Sequence, residues 1–215
     1  MNLPLDKRLK RQSHRDIARL QDVLVQIVYD LEPGAVMHGG TAIWRCFHGK
    51  RFSEDVDFYL SPKPNFQEKF TQQLEKEGAV LIKYRKTANA IYSVIRRERT
   101  DVSFETTFRS SKNPVASNYE KSDGTFLTVL TPSPEELLIE KITAFQNRKL
   151  IRDIYDVYHL SVIANLPTTE RKILSKKLST LPRPIDEENL QNILLEGAVP
   201  TFNQMIDALQ RRLHA

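Results

Sequence analysis

The sequence predicts an α+β protein in which a mixed sheet with flanking helices is followed by a helical C-terminal half. Two observations support this prediction. Up to about residue 130, short runs of alternating apolar residues lie between segments whose apolar residues recur at helical spacing. From Glu135 onward, only helical spacing is found. We therefore expect two domains, formed by residues 1–132 and 133–215. The helical part is interrupted near 147–150, Pro167, Pro182–Pro184 and Pro200.

The N-terminal part begins with an amphipathic helix. Apolar residues recur at helical spacing over residues 13–31, and Ser13 is a suitable N-cap residue for this helix. A short apolar run at 35–38 predicts a strand, and residues 42–47 predict a short helix that contains Cys46. In that helix we expect Cys46 to be a core residue.

The next segments predict most of the sheet. Residues 55–60 alternate, with Val56 and Phe58 on one face and Asp55 and Asp57 on the other, and therefore predict a strand. The rest of this part predicts, in order, a helix over 65–77, a β-hairpin over 80–84 and 90–95, a strand over 101–108, a loop over 110–124 and a strand over 126–130.

Composition limits the class of protein. The chain has 215 residues, of which 40% are hydrophobic, and this is enough for a substantial core. The single cysteine excludes an intramolecular disulfide and a multi-cysteine zinc site, and it favours a reducing compartment. The N-terminus is charged, and no apolar run has the length of a membrane span. We expect a cytoplasmic protein with no membrane partner.

Positive charge is concentrated in three segments. The net charge is +5, and basic residues cluster within 7–19, 83–99 and 148–152. Such clusters suit a partner rich in phosphate, such as a nucleic acid or a triphosphate, although a solvated basic surface would have the same composition.

One pair of motifs indicates chemistry. Gly39, Gly40 and Thr41 stand before a predicted helix, where glycines allow close approach of a ligand and exposed N–H groups favour phosphate. Asp55 and Asp57 are two residues apart on a predicted strand, so their carboxylates leave the same face. Oxygen-only ligands favour Mg²⁺ or Mn²⁺ over zinc. Together the motifs predict a site for a divalent cation and a triphosphate.

The segment HGGTAIWRCFHGKRFSEDVDFYL, residues 38–60, resembles the first motif of the nucleotidyltransferase superfamily, and in particular that of the AbiEii/AbiGii toxin family of type IV toxin–antitoxin systems. A second similarity lies at 99–102, where a basic residue and a spacer precede Asp101. A third covers 140–148 and 152–157, which are similar to the family's lysine-containing helix and its Arg-Asp-hydrophobic-Tyr-Asp signature.

This resemblance implies a nucleotidyltransferase-like catalytic domain and a helical domain that contributes lysine and aspartate residues to the site. It implies that Asp55, Asp57 and Asp101 bind the metal, with Asp101 favoured over Glu105 as the third carboxylate. Either Asp153 or Asp156 is expected to reach the site, and Asp153 is taken as the catalytic residue. The expected nucleotide-binding residues are Gly39, Gly40, Thr41, Ser53, Lys141 and Arg148.

The resemblance also implies the activity: transfer of NMP from an NTP to an acceptor, with Mg²⁺ (or Mn²⁺), by the toxin of a toxin–antitoxin pair acting on tRNA. The expected partners are an NTP, tRNA and a cognate antitoxin. Two alternatives stay open, namely a small-molecule or protein acceptor and a non-catalytic nucleotide- or RNA-binding module. Single residues also have structural alternatives. Lys141 would be a solvated lysine, Asp153 and Asp156 would form ion pairs on a helix surface, and Arg51 would pair with Glu54 or Asp55.

Overall fold

The computed structural model describes residues 3–214, with the side chains of residues 3–213. These residues form two compact units. The first contains the residues up to Cys46 together with Phe52–Pro132, and the second contains Phe47–Arg51 together with the residues from Ser133 onward. Within the described part of the chain, no helix is both long enough and apolar enough to cross a membrane.

A mixed sheet of seven strands, counted over residues 3–214, forms the centre of the first unit. The strands are β1 (Val36–His38), β2 (Val56–Tyr59), β3 (Val80–Lys86), β4 (Ala90–Arg97), β5 (Thr100–Thr107), β6 (Val115–Glu120) and β7 (Phe126–Thr131). Their order across the sheet is β3-β4-β5-β2-β1-β7-β6. The β2–β5 and β1–β7 pairs are parallel, and the other neighbouring pairs are antiparallel.

The helices of the first unit are α1 (Leu5–Arg8), α2 (Gln12–Leu31), α3 (Gly39–Cys46) and α4 (Phe66–Lys76). Helix α2 packs against α4, β2 and β5. Buried and exposed side chains therefore alternate along β5. Val102 and Phe104 are buried in the shared core, while Asp101 and Glu105 point to the opposite face and are exposed. This opposite face, on which Asp57, Tyr92 and Glu105 also lie, is called the polar face below.

Three local predictions were wrong. Residues 115–120 form strand β6 instead of part of a loop. Tyr119 is buried in the core and packs this edge strand against it, although the rest of the strand is exposed or half-buried. Helix α2 begins at Gln12, so Ser13 lies inside the helix, and no side chain caps it. Helix α3 begins at Gly39, three residues before the predicted start, because the two glycines themselves form its first turn.

The second unit is helical. Its helices are α5 (Pro134–Arg148), α6 (Ile151–Leu160), α7 (Thr168–Leu178), α8 (Leu190–Ile193) and α9 (Phe202–His214), with a 3₁₀ turn at Glu187–Asn189. Ser133 caps α5 by accepting a hydrogen bond from the Glu136 N–H, and proline occupies the first position of that helix. Helix α6 packs on α5 and α9, and the rings of Phe145 and Phe202 stack with 6.0 Å between their centroids.

The Phe47–Arg51 segment belongs to this helical unit although the sequence places it between α3 and β2. His159 Nε2 lies 2.8 Å from the carbonyl oxygen of Phe47, and the Leu195 N–H donates to the carbonyl of Lys50 over 2.9 Å. Arg51 also forms an antiparallel bridge with Leu194. These contacts explain why residues 47–51 fold with a part of the chain about a hundred residues further on.

Candidate active site

The two aspartates of the predicted motif lie side by side on the polar face. Asp57 is in β2 and Asp55 directly precedes this strand, so both half-buried side chains leave the same face. The Gln21 amide donates to the carbonyls of Ser53 and Glu54 over 2.9 and 3.0 Å, and the Thr41 hydroxyl donates to the carbonyl of Asp55. Helices α2 and α3 therefore hold the backbone that leads into the aspartate pair.

Thr41 was expected to contact phosphate. In the structure its side chain is fully buried, and its hydroxyl is bound to the Asp55 carbonyl. Ser53, another expected nucleotide ligand, is buried as well, and its carbonyl accepts from Gln21. Both residues thus support the position of Asp55 in this arrangement.

Gly39 is required by the close approach of Asp57. Its φ angle is +75°, in the region that side-chain-bearing residues rarely adopt. A Cβ atom built on Gly39 would lie 2.2 Å from Oδ2 of Asp57, because His38 and Asp57 are register partners on neighbouring strands. The Gly-Gly sequence therefore leaves space for the Asp57 carboxylate at the start of α3.

Replacement of Gly39 by alanine is expected to destabilise the protein by about 1–3 kcal/mol, because alanine is strained at this φ and its Cβ would collide with Asp57. Gly34→Ala is the matched control, since a Cβ there meets nothing within 4 Å. Urea unfolding of both variants measures the difference. Equal stability of the two variants would contradict the proposed close contact.

The sheet register decides which acid of β5 lies beside the aspartate pair. Asp57 is the direct partner of Glu105 in the parallel β2–β5 pair. Asp101 lies four residues away, about 13 Å along the strand, opposite Arg96. Both oxygens of Asp101 accept from the Arg96 guanidinium over 2.6 Å. We expected Asp101 to lie beside Asp55 and Asp57. In the structure Glu105 lies beside them instead.

Electrostatics around Glu105 support this grouping of acids. The side chain is exposed at the polar face, yet partial desolvation and then the charge of Asp55 raise the pKa of Glu105 above its ordinary value. Two carboxylates that repel each other in this way are stabilised by a bound cation.

The two carboxylates suit Mg²⁺ if substrate phosphates complete its coordination. Among residues 3–214, no group of three His, Cys, Asp or Glu side chains is arranged to hold a metal ion by itself. Protein-bound Mg²⁺ commonly takes one or two carboxylates and completes its shell with water and substrate phosphates. Asp55 and Asp57 supply that number of carboxylates, and a triphosphate would supply the remaining oxygens.

Three residues that the sequence interpretation did not single out for the site form a contact series that begins beside Asp57, at His38, and continues through Tyr59 to Arg109. Tyr59 follows Asp57 on the same face of β2, and its ring stacks on His38 with centroids 3.7 Å apart. The Arg109 guanidinium lies 4.2 Å from the Tyr59 ring and donates to its hydroxyl over 2.5 Å. The position of His38 directly before the Gly-Gly sequence could have indicated that it lies near the site. Nothing in the sequence indicates Arg109.

In the second unit, four residues of the third motif form one cluster with Arg51, which belongs to the first motif. Arg51 binds Asp156 with two hydrogen bonds of 2.6 Å, and Lys141 Nζ lies 2.9 Å from Oδ2 of Asp156. Arg148 binds Asp153 with two further bonds of 2.6 Å, and Lys141 Nζ lies 3.7 Å from Oδ1 of Asp153. This set is called the charge cluster below.

The charge cluster settles several alternatives. Lys141 is 7% exposed and is therefore not a solvated lysine, and Asp153 and Asp156 are buried rather than on a helix surface. Arg51 pairs with Asp156 and not with Glu54 or Asp55. Burial alone would raise the pKa of Asp156, but the charges of Arg51 and Lys141 and their hydrogen bonds outweigh burial and lower it.

Cys46 is not suited to act as a nucleophile. It lies at the end of α3 in contact with the core of the first unit. Burial raises the pKa of its thiol to about 12, although the charge of Arg45 acts in the opposite direction. The thiolate needed for nucleophilic attack is therefore scarce at neutral pH.

Comparisons with known proteins show the family and the fold. The sequence model of a family described as nucleotidyl transferase AbiEii toxin, of type IV toxin–antitoxin systems, matches residues 22–213. No curated protein sequence matches the chain at a significant level.

Solved structures show the same fold. JHP933 from Helicobacter pylori superposes with a TM-score of 0.69 at 18% identity, covering 95% of this chain and 91% of that one. MenT4, a nucleotidyltransferase toxin from Mycobacterium tuberculosis, superposes with a TM-score of 0.61 at 17% identity, covering 94% of this chain and 82% of that one. At these identities the similarity establishes a nucleotidyltransferase-like fold.

Proposed function

The chain belongs to the AbiEii family of nucleotidyl transferase toxins of type IV toxin–antitoxin systems, and on this premise we propose that it transfers NMP from an NTP to the 3′ end of tRNA. The observation that carries the proposal is the row of Asp55, Asp57 and Glu105 on the polar face, beside a helix start that is kept free of side chains by Gly39. We further propose a cytoplasmic location and silencing by a cognate antitoxin.

The proposed reaction is a displacement at the α-phosphorus of the NTP. The 3′ hydroxyl oxygen of the acceptor forms a bond to the α-phosphorus, the bond from that phosphorus to the bridging oxygen breaks, and pyrophosphate leaves. Asp55 and Asp57 would hold Mg²⁺ or Mn²⁺ in the presence of the triphosphate. When bound, the cation offsets the negative charge of the phosphates and polarises the reacting phosphoryl group.

We propose that Glu105 accepts the proton from the attacking hydroxyl. A general base must lie close to the reacting group and must have sufficient proton affinity. Glu105 meets the first condition through its register with Asp57. It meets the second because partial desolvation raises its pKa.

For the charge cluster we propose a supporting role. The cluster joins three cations, Arg51, Lys141 and Arg148, to two carboxylates, Asp153 and Asp156. We propose Lys141 and Arg148 as phosphate ligands, because ammonium and guanidinium groups are the side chains that bind phosphate oxygens most strongly. Asp153 binds both of them, and we therefore propose that it orients them and does not itself react.

Glu105→Gln and Asp101→Asn distinguish the two candidates for the third carboxylate. We expect Glu105→Gln to lower the rate of nucleotide transfer by about 100-fold or more, since a general base contributes about 10²- to 10⁴-fold. Asp101→Asn should transfer at the wild-type rate, since Asp101 lies at the far end of β5. Initial rates under saturating NTP measure both. The opposite order of effects would restore Asp101 as the third carboxylate.

Label transfer tests the proposed function itself. Purified protein is incubated with total tRNA, Mg²⁺ and each α-³²P-labelled NTP in turn, with an EDTA control. Label on tRNA from one of the nucleotides, lost in EDTA, would establish both the reaction and the acceptor. Label found only on protein or on small molecules would show that the acceptor is not tRNA. Absence of pyrophosphate release under every condition would favour a non-catalytic binding module.

A further inference from the structure

Register pairs continue the row of acids across the polar face. Asp57 in β2 is paired with Glu105 in β5, Glu105 with Tyr92 in β4, and Tyr92 with Arg85 in β3. Directly paired residues in a sheet lie on the same face. Since neighbouring strands are about 4.8 Å apart, Tyr92 lies about 10 Å from Asp57 and Arg85 about 14 Å. One straight line of side chains therefore runs from the carboxylates to an aromatic ring and a guanidinium.

The far end of this line is suited to stacking. The Arg85 guanidinium lies 5.0 Å from the centroid of the Tyr92 ring, and Tyr92 is 37% exposed. An exposed tyrosine that already carries a guanidinium offers two flat surfaces, and nucleobases stack on both kinds. No feature of the core requires this pair, because the core-facing residues of β4 are Ile91, Ser93 and Ile95.

Two basic side chains lie beside the ring. Lys83 and Arg85 are exposed on the same face of β3, and within residues 3–214 neither forms an ion pair. Of the other basic residues of this hairpin, Arg96 is bound to Asp101, and Lys86 and Arg97 lie on the opposite face. Lys83 and Arg85 are two residues apart, about 7 Å along the strand. An exposed ring with two cations beside it suits a nucleobase and the phosphate backbone attached to it.

We propose that Tyr92 and Arg85 form a stacking platform for a base near the single-stranded 3′ end of the acceptor RNA, while Lys83 contacts its phosphates. The proposal rests on the proposed function, because it places the terminal hydroxyl at the carboxylates and the neighbouring bases along the row. A nucleobase of the NTP has the same stacking chemistry, and the experiment separates the two sources.

The experiment measures equilibrium binding without turnover. Fluorescence anisotropy with a labelled single-stranded RNA that has a free 3′ hydroxyl gives the RNA affinity in EDTA. Fluorescence of an N-methylanthraniloyl NTP with Mg²⁺ gives the nucleotide affinity. The variants are Tyr92→Ala, Tyr92→Phe and Arg85→Ala. Tyr84→Ala, on the opposite face of β3, and Lys69→Ala, on the exposed side of α4, are matched controls.

We expect Tyr92→Ala to weaken RNA binding about 5- to 100-fold, which is the range for loss of one stacked base, and Tyr92→Phe to restore it. Arg85→Ala should also weaken RNA binding, because it removes one of the two stacking surfaces. NTP affinity and both controls should be unchanged. Unchanged RNA affinity in Tyr92→Ala would overturn the platform, and a selective loss of NTP affinity would assign it to the incoming nucleotide. Because binding is measured without catalysis, failure of label transfer remains a separate result.

Discussion

Replacement of Asp57 by asparagine is expected to lower nucleotide transfer about 1000-fold or more. Asparagine has the shape of aspartate, so it fits the space left by Gly39, but it lacks the negative charge that a divalent cation requires. Charge stabilisation at a phosphoryl centre contributes several kcal/mol to the barrier, and each 1.36 kcal/mol corresponds to a factor of ten in rate. Label transfer to tRNA at saturating Mg²⁺ measures the effect.

A second readout ties this loss to metal binding. Mg²⁺ together with an NTP should raise the thermal unfolding midpoint of the wild-type protein, because a ligand that binds only the folded state stabilises it. The Asp57→Asn variant should lose this increase. Asp207→Asn, an exposed aspartate of α9, is the control and should behave as wild type in both measurements. Transfer at the wild-type rate by the Asp57→Asn variant would remove the catalytic assignment.

The sequence was informative where structure depends on local spacing. The alternation at 55–60 correctly places Asp55 and Asp57 on one face, and the helical periods locate α2, α4 and the helices after Ser133. Strand β6 was not predicted because five of its six residues are exposed or half-buried. An edge strand of this kind has a composition similar to that of a loop.

The third carboxylate could not be chosen from spacing alone. Asp101 and Glu105 are four residues apart on one strand and share a face, so periodicity treats them as equivalent. The choice depends on which of them is paired with Asp57. This register arises from contacts between β2 and β5, whose paired residues are 48 positions apart in the sequence. Long-range pairing of this kind leaves no local signal.

The sequence indicated four members of the charge cluster but not that Arg51 joins them. Lys141, Arg148, Asp153 and Asp156 are close along the chain, but Arg51 reaches Asp156 across 105 residues. The sequence context of Arg51, next to Glu54 and Asp55, favours a local ion pair. The fold overrides this preference because residues 47–51 are held against the helices of the second unit.

Removal of the Asp156 carboxylate is expected to destabilise the second unit strongly. Asp156→Ala leaves the buried charges of Arg51 and Lys141 without their shared partner, and loss of one partner from a buried ion pair costs about 3–5 kcal/mol. Asp101→Ala is a close control, because Asp101 is bound by Arg96 with the same two-bond geometry and the same 2.6 Å distances, but at the surface. Its free energy of unfolding should stay near the wild-type value.

The pH dependence of this difference provides a sharper test than its size. The folded-state pKa of Asp156 is below its ordinary value, so the carboxylate contributes stability that is complete above the unfolded-state pKa of about 3.9. That contribution is lost as the pH falls through the lower folded-state pKa. The difference in unfolding free energy between wild type and Asp156→Ala should therefore be constant from about pH 5 to pH 8 and narrow below about pH 4. A difference that stays constant down to low pH would show that Asp156 stabilises the unit by packing and not by its charge.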